Sequence, residues 1–164
     1  MILTQKILKR LLSYDPETGI FVRLVSTSNR VKVGDVAGTP HNMGYWSISL
    51  MGRRHLAHRL AWLYVYGIWP PQEIDHMNGD RSDNRICNIR LASRPQNAAN
   101  GRTRSTNTSG HPGVHYETRR SCWCAYIGKN NKRIWLGYFD TAEAAIAARR
   151  AAARLHHGKF ARAA

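Results

Sequence analysis

Negative charge is what this chain has least of. Its 164 residues include 10 Asp and Glu against 25 Lys and Arg, a formal net charge of +15 with a pI near 10.6. Residues 1–100 hold 13 basic and 7 acidic side chains, and residues 101–164 hold 12 and 3, so neither half is neutral. Fifteen uncompensated charges repel one another in a compact fold, which argues for a polyanionic partner over a merely soluble surface. Nucleic acid is that partner, although charge alone does not separate DNA from RNA.

Long apolar runs are missing too. No stretch approaches the roughly 20 residues of a membrane helix. The first segment, "MILTQKILKRLL", is interrupted by Lys6, Lys9 and Arg10 and lacks the apolar core of a signal peptide. The expected compartment is intracellular and cytoplasmic, with no membrane partner. Cysteine is scarce, at three residues. Cys122 and Cys124 share a strand face but not disulfide geometry, and Cys87 stands alone. A zinc site needs four Cys or His ligands, usually as two spaced pairs, and no second pair exists, so no structural zinc is expected. Internal repeats are absent as well.

What is present suffices for real cores. Hydrophobic residues make up 43%, which excludes bulk disorder, and the length allows one domain or two small ones on a linker. The start reads as an amphipathic helix with Thr4 as cap and Ile7, Leu8, Leu11 and Leu12 on one face. "YDPETGIFVRLV" is turn-rich and feeds a short strand. "GYWSISLMGRRHLA" alternates in strand fashion, with Met51-Gly52-Arg53 as a turn into a second strand. "AHRLAWLYVYG" has helical spacing at Ala57, Leu60, Ala61, Leu63 and Tyr64, and stops at Gly67 before Pro70 and Pro71. Residues 101–112, "GRTRSTNTSGHP", read as a linker. "GVHYET", "CWCAYIG" and "KRIWLGYFD" predict three strands. "DTAEAAIAARRAAARLHHG" predicts a helix capped by Asp140 with Glu143 completing a capping box, ended by Gly158, and its alanines allow close approach to a sheet. The fold class is therefore α+β.

The scarce acids are not scattered. "EIDHMNGDRSDNRICNIR" begins at Glu73, and four of the ten carboxylates fall within its first eleven residues. A carboxylate beside a phosphate backbone is repelled unless a divalent cation lies between them, so Asp75 is more useful as a metal ligand than as a contact. The adjacent His76 is the side chain best suited to take a proton from water near neutral pH. On a strand the two side chains alternate in direction, so a loop is expected to begin just after Asp75. An EF-hand fails on spacing, because position 12 is Ile86 counted from Asp75 and Leu91 counted from Asp80. Asp80, Asp83 and Asn84 read as turn formers. His58 reads as a core residue on an apolar helix, and His41, His55, His156 and His157 belong to no constellation.

The stretch from "HRLAW" at His58 through "PPQEIDHMNGDRSDNRICNIRLASRPQNAANG" resembles the HNH endonuclease motif of phage and intron homing endonucleases. The resemblance lies in the Asp75-His76 pair, Asn88 twelve residues beyond the His and Asn97 twenty-one beyond it. It implies a ββα-metal unit over residues 57–100, following an N-terminal helix and strand module over 1–56. By motif position Asp75 and Asn97 correspond to metal ligands and His76 to the general base. Asn88 corresponds to the residue that keeps the loop and the His in register. One Mg²⁺ or Mn²⁺ ion is the implied cofactor.

Residues 113–164 resemble an APETALA2-type DNA-binding domain, on "GV" at 113–114, "WCAYI" at 123–127 and above all "WLGYFDTAEAA" from Trp135. The resemblance implies a three-stranded sheet that enters the major groove of duplex DNA, backed by a helix. Strand parity agrees: Trp123, Ala125, Ile127, Ile134 and Leu136 face the helix, while Cys124, Tyr126, Arg133 and Trp135 lie on the open face. Arg133, Trp135 and Tyr126 are the expected DNA contacts, joined by phosphate contacts from Arg119 and Arg120 in the hairpin. Pro112, His115, Tyr126 and Gly128 depart from the plant pattern, so plant-type target specificity is not inherited. The leading reading is a metal-dependent DNA endonuclease. The alternative is a non-catalytic DNA-binding or regulatory protein in which the HNH segment is only scaffold. RNA binding is weaker, because the aromatic platform is sparse. One nuclease centre implies that a monomer nicks one strand, while a double-strand cut takes a homodimer or two sequential visits.

Overall fold

The computed structural model describes residues 2–101, 107, 109–129 and 132–161. Of the expected linker, residues 102–106 and 108 lie outside the described residues. The chain divides into two compact units, Met1–Ser93 and Arg94–Ala164, both mixing helices with antiparallel strands as an α+β protein does. Among the described residues no helix is long and apolar enough to cross a membrane.

In the first unit, α1 (Gln5–Leu11) starts where the Thr4 side chain accepts a hydrogen bond from the Ile7 N–H at 3.3 Å, the predicted cap. Leu8 and Leu12 are fully buried, with Ile7 and Leu11 packed at the edge of the same core. The backbone turns extended at Leu12 and enters the hairpin of β1 (Leu12–Tyr14) and β2 (Phe21–Arg23). A second sheet joins β3 (Thr39–Pro40), β4 (Trp46–Leu50) and β5 (Arg53–Leu56), with the tight turn at Met51-Gly52 that the sequence predicts. α2 (Ala57–Tyr66) follows directly. It buries Ala57, Leu60, Ala61 and Leu63 and ends at Gly67, whose left-handed φ of 79° lets its N–H reach the Leu63 carbonyl at 3.0 Å. One core gathers Leu8, Leu12, Phe21, Ile48, Leu60 and Leu63, and the two-stranded ribbon of β6 (Glu73–His76) and β7 (Ile89–Ala92) packs on it through Ile74 and Ile89.

The second unit begins with the short α3 (Arg94–Ala99), which holds Pro95 near its start. Strands β8 (Val114–Glu117), β9 (Cys122–Lys129) and β10 (Lys132–Phe139) form an antiparallel sheet with β9 in the centre. α4 (Ala142–His157) covers one face. Ala145, Ala152 and Ala153 are buried against Val114, Ala125 and Ile127, so the small side chains do bring helix and sheet close. Its cap is Thr141, whose hydroxyl accepts from the Ala144 N–H at 3.2 Å, and not Asp140. Both residues are good N-caps. With the helix starting one residue later, Glu143 no longer stands at the box position. Gly158 ends the helix as expected.

Candidate active site

β6 runs through His76, so the loop starts at Met77, one residue later than the sequence suggests. The ladder with β7 holds it: His76 is opposite Ile89, and the Met77 N–H donates to the Asn88 carbonyl at 2.8 Å. Asp75 and His76 therefore leave the ribbon on alternate sides. Each is only 4% exposed, an unusual state for a carboxylate. Asp75 meets its cross-strand partner Arg90, whose Nε and Nη2 donate to Oδ2 at 2.8 and 2.6 Å.

His76 faces aromatic neighbours. The His58 ring stands edge-on to it at 5.0 Å, and the Tyr45 ring lies 6.1 Å from it and 5.3 Å from His58. Burial pushes the His76 imidazole below its ordinary value, against the raising pull of Asn84 and of the Asp75, Asp83 and Asp80 carboxylates. At pH 7 it is neutral, the form that can accept a proton. His58 is pushed down to about 3, chiefly by burial, with His76 and Arg59 adding to it. It is buried as a core residue should be, but it is not satisfied, since its Nδ1 has no hydrogen-bond partner among the described residues.

Asn88 closes the loop between the strands. Its Oδ1 accepts from the Asn78 N–H at 3.1 Å, and its Nδ2 donates to the Asp83 carbonyl at 2.9 Å. One buried amide thus ties the first and the middle part of the loop to the start of β7. Asp80 makes the turn expected of it, accepting from the Ser82 N–H and hydroxyl. Asn84 does more than turn the chain: it is buried, and its carbonyl accepts from the Tyr14 hydroxyl at 2.8 Å, seventy residues away in sequence. Gly19, at φ 74°, lies so close that a Cβ there would stand 2.5 Å from the Arg85 nitrogen. The β1–β2 hairpin is therefore a brace under this loop, a role that no local pattern in residues 12–23 signals.

Asn97 lies on α3 of the second unit, half-buried, on a helix as its motif position implies. An Asp carboxylate with an Asn amide oxygen is a donor set that suits a hard ion such as Mg²⁺ or Mn²⁺, whose other positions go to water and phosphate oxygens. The carboxylate of Asp75 is by type a hard-ion ligand of that kind. No group of three His, Cys, Asp or Glu side chains placed to hold a metal occurs among the described residues.

In the second unit the open face of the sheet is aromatic and cationic. A bulge between Trp135 and Gly137 shifts the register, so Tyr138 pairs with Cys124 and joins Trp135 on that face, ring centroids 4.9 Å apart. Trp135 is 51% exposed, as its parity against Ile134 and Leu136 predicts. The Arg133 guanidinium lies 4.9 Å over the Tyr126 ring and the Arg120 guanidinium 4.7 Å over the Tyr138 ring. Arg119 is exposed on the same 3₁₀ turn as Arg120. Cys124 departs from the expectation. It is 1% exposed, because its cross-strand neighbours His115 and Tyr138 stand on the same face at either side and cover it. Strand parity does not place Tyr138 on this face, since the bulge that reorients it leaves no mark in the alternation.

The HNH endonuclease family model matches residues 55–99, and the AP2 domain model matches residues 109–157. Protein 3.8 of Escherichia phage T7 is 32% identical over 111 residues, covering 67% of this chain and 88% of that protein. No solved structure matches the chain.

Proposed function

The chain belongs to the HNH endonuclease family and carries an AP2 domain behind the nuclease segment, and from that premise we propose that it is a metal-dependent endonuclease acting on duplex DNA. A nuclease segment and a DNA-binding domain in one chain make DNA the partner. The observation that carries the proposal is the buried imidazole of His76 at the end of a ribbon strand, next in sequence to Asp75 and followed by a loop clamped by Asn88.

In this reading His76 takes a proton from water, and the water oxygen attacks phosphorus in line as the 3′ oxygen leaves. Burial keeps the imidazole in its acceptor form at neutral pH. Asn88 holds the backbone that carries it. Asp75 and Asn97 are the residues that would hold one Mg²⁺ or Mn²⁺, which when bound supplies charge stabilisation at the phosphate and the leaving oxygen. Tyr126, Arg133 and Trp135 on the sheet, with Arg119 and Arg120 at its hairpin, bind the duplex. They do so through guanidiniums already laid on aromatic rings, which lowers the ordering cost of binding.

A second reading has one observation in its favour. The ion pair of Asp75 with Arg90 is what a scaffold-only segment would keep, leaving a DNA-binding regulator. Supercoiled-plasmid cleavage at low salt with Mg²⁺ or Mn²⁺, with and without EDTA, separates the two for wild type and His76→Ala. Nicked or linear product that needs both metal and His76 supports the nuclease. DNA binding without cleavage by either protein, on plasmid and on DNA of its own source, supports the regulator.

A further inference from the structure

Three arginines lie on the segment from Asp75 to Ala92, and they are not used alike. Arg85 is bridged to Asp83 at 2.8 and 2.6 Å through Nε and Nη2, and Arg90 to Asp75 as described, so both charges are neutralised within the protein. Arg81 is different. It follows Asp80 and is two residues from Asp83, the carboxylates a loop guanidinium would ordinarily take, and it forms an ion pair with neither among the described residues. Its Nη1 instead donates to the Met43 carbonyl at 3.1 Å, and its guanidinium carbon sits 4.9 Å over the Tyr45 ring.

That ring is the one that packs against His76 and His58. The cation is therefore one aromatic ring removed from the candidate base, half-buried and held from two sides. Freezing a long side chain on a tyrosine while two acids stand nearby costs conformational freedom and forgoes an ion pair. It preserves an unneutralised charge and most of the five N–H donors, because one bond to a carbonyl uses only one of them. A planar donor fork of this kind matches a phosphate in a two-point grip, which a lysine cannot reproduce.

We propose that Arg81 is a phosphate-positioning residue. Preset on Tyr45, it grips a backbone phosphate of the DNA strand lying over His76 and so fixes which phosphodiester faces the base. The inference rests on the nuclease reading above and assigns to it a substrate contact outside the HNH motif positions.

The test is cleavage kinetics on the full chain with Mg²⁺ across a series of salt concentrations, for wild type, Arg81→Gln and Arg81→Lys. Arg81→Gln is expected to raise KM about 5–20-fold with kcat within about 2-fold, and to lower the slope of log KM against log salt by about 0.9, the signature of one lost phosphate contact. Arg81→Lys, which keeps the charge but not the fork, is expected to restore the salt slope and only part of KM. A wild type that cuts, with Arg81→Gln matching it in KM and slope, overturns the role of Arg81 and leaves the nuclease standing. A variant that loses kcat and thermal stability with the salt slope intact also overturns it, in favour of a loop-holding role. A wild type that never cuts removes the nuclease reading and this inference together.

Discussion

The β6–β7 ribbon with its loop and the β8–β10 sheet treat most of their arginines in opposite ways, Arg81 being the exception on the ribbon side. On the β6–β7 ribbon and its loop, Arg85 and Arg90 are spent on carboxylates, and the polar side chains Asp75, His76, Asn84 and Asn88 are buried. On the β8–β10 sheet, Arg120 and Arg133 lie exposed on tyrosine rings and the carboxylates are few. Burying polar groups is costly unless each is held, so a ribbon that buries four of them keeps each at a fixed position. A sheet that displays cation and ring together is organised around contact.

The sharpest way to break that comparison is His76→Ala. Plasmid cleavage should fall by roughly 10²–10⁴ while duplex binding, measured by fluorescence anisotropy, stays unchanged. Equal cleavage by the variant would sink the base assignment.

Acid stability tests the ribbon side through His58. Its folded-state value of about 3 lies below the ordinary 6.5, so between those pH values the unfolded chain takes up a proton that the folded chain refuses. This contribution is complete above about pH 6.5 and is lost as pH falls toward 3, on the order of a few kcal/mol. Urea unfolding at pH 7.5 and pH 4.5 should show a smaller acid loss for His58→Phe than for wild type. His76 shifts in the same direction, so some acid loss remains in the variant. Asn88→Ala removes both side-chain bonds that close the loop and should cost about 2–4 kcal/mol in the same assay.

The sheet side predicts smaller effects on a different constant. Trp135→Ala or Arg133→Ala should weaken duplex binding about 5–20-fold and leave kcat at saturating DNA intact. Arg119→Ala should cost about 3-fold, and its effect should vanish at high salt, because the side chain is exposed and offers only charge. A kcat loss in any of these three would collapse the division between the two elements.

Much of this was legible beforehand because it is local. The Thr4 cap, the Met51-Gly52 turn, the stop of α2 at Gly67 and the outward parity of Trp135 depend on residues a few positions apart. The clamp around Asn88 spans ten residues and was implied by motif spacing, though only as a resemblance. The brace from Tyr14 to Asn84 spans seventy, and no periodicity reaches that far. The burial of Cys124 and the appearance of Tyr138 on the open face follow from strand pairing, one bulge included.

The sequence by itself determined the elements, the basic character and the identity of the groups at the candidate site, because caps, turns, alternation and charge are properties of neighbouring residues. Only the tertiary structure decided which arginines are neutralised, that the N-terminal hairpin supports the loop, and that Arg81 is laid on a ring beside His76. Those outcomes come from pairing and packing between segments distant along the chain, where burial sets what a side chain must satisfy and what it is left to offer.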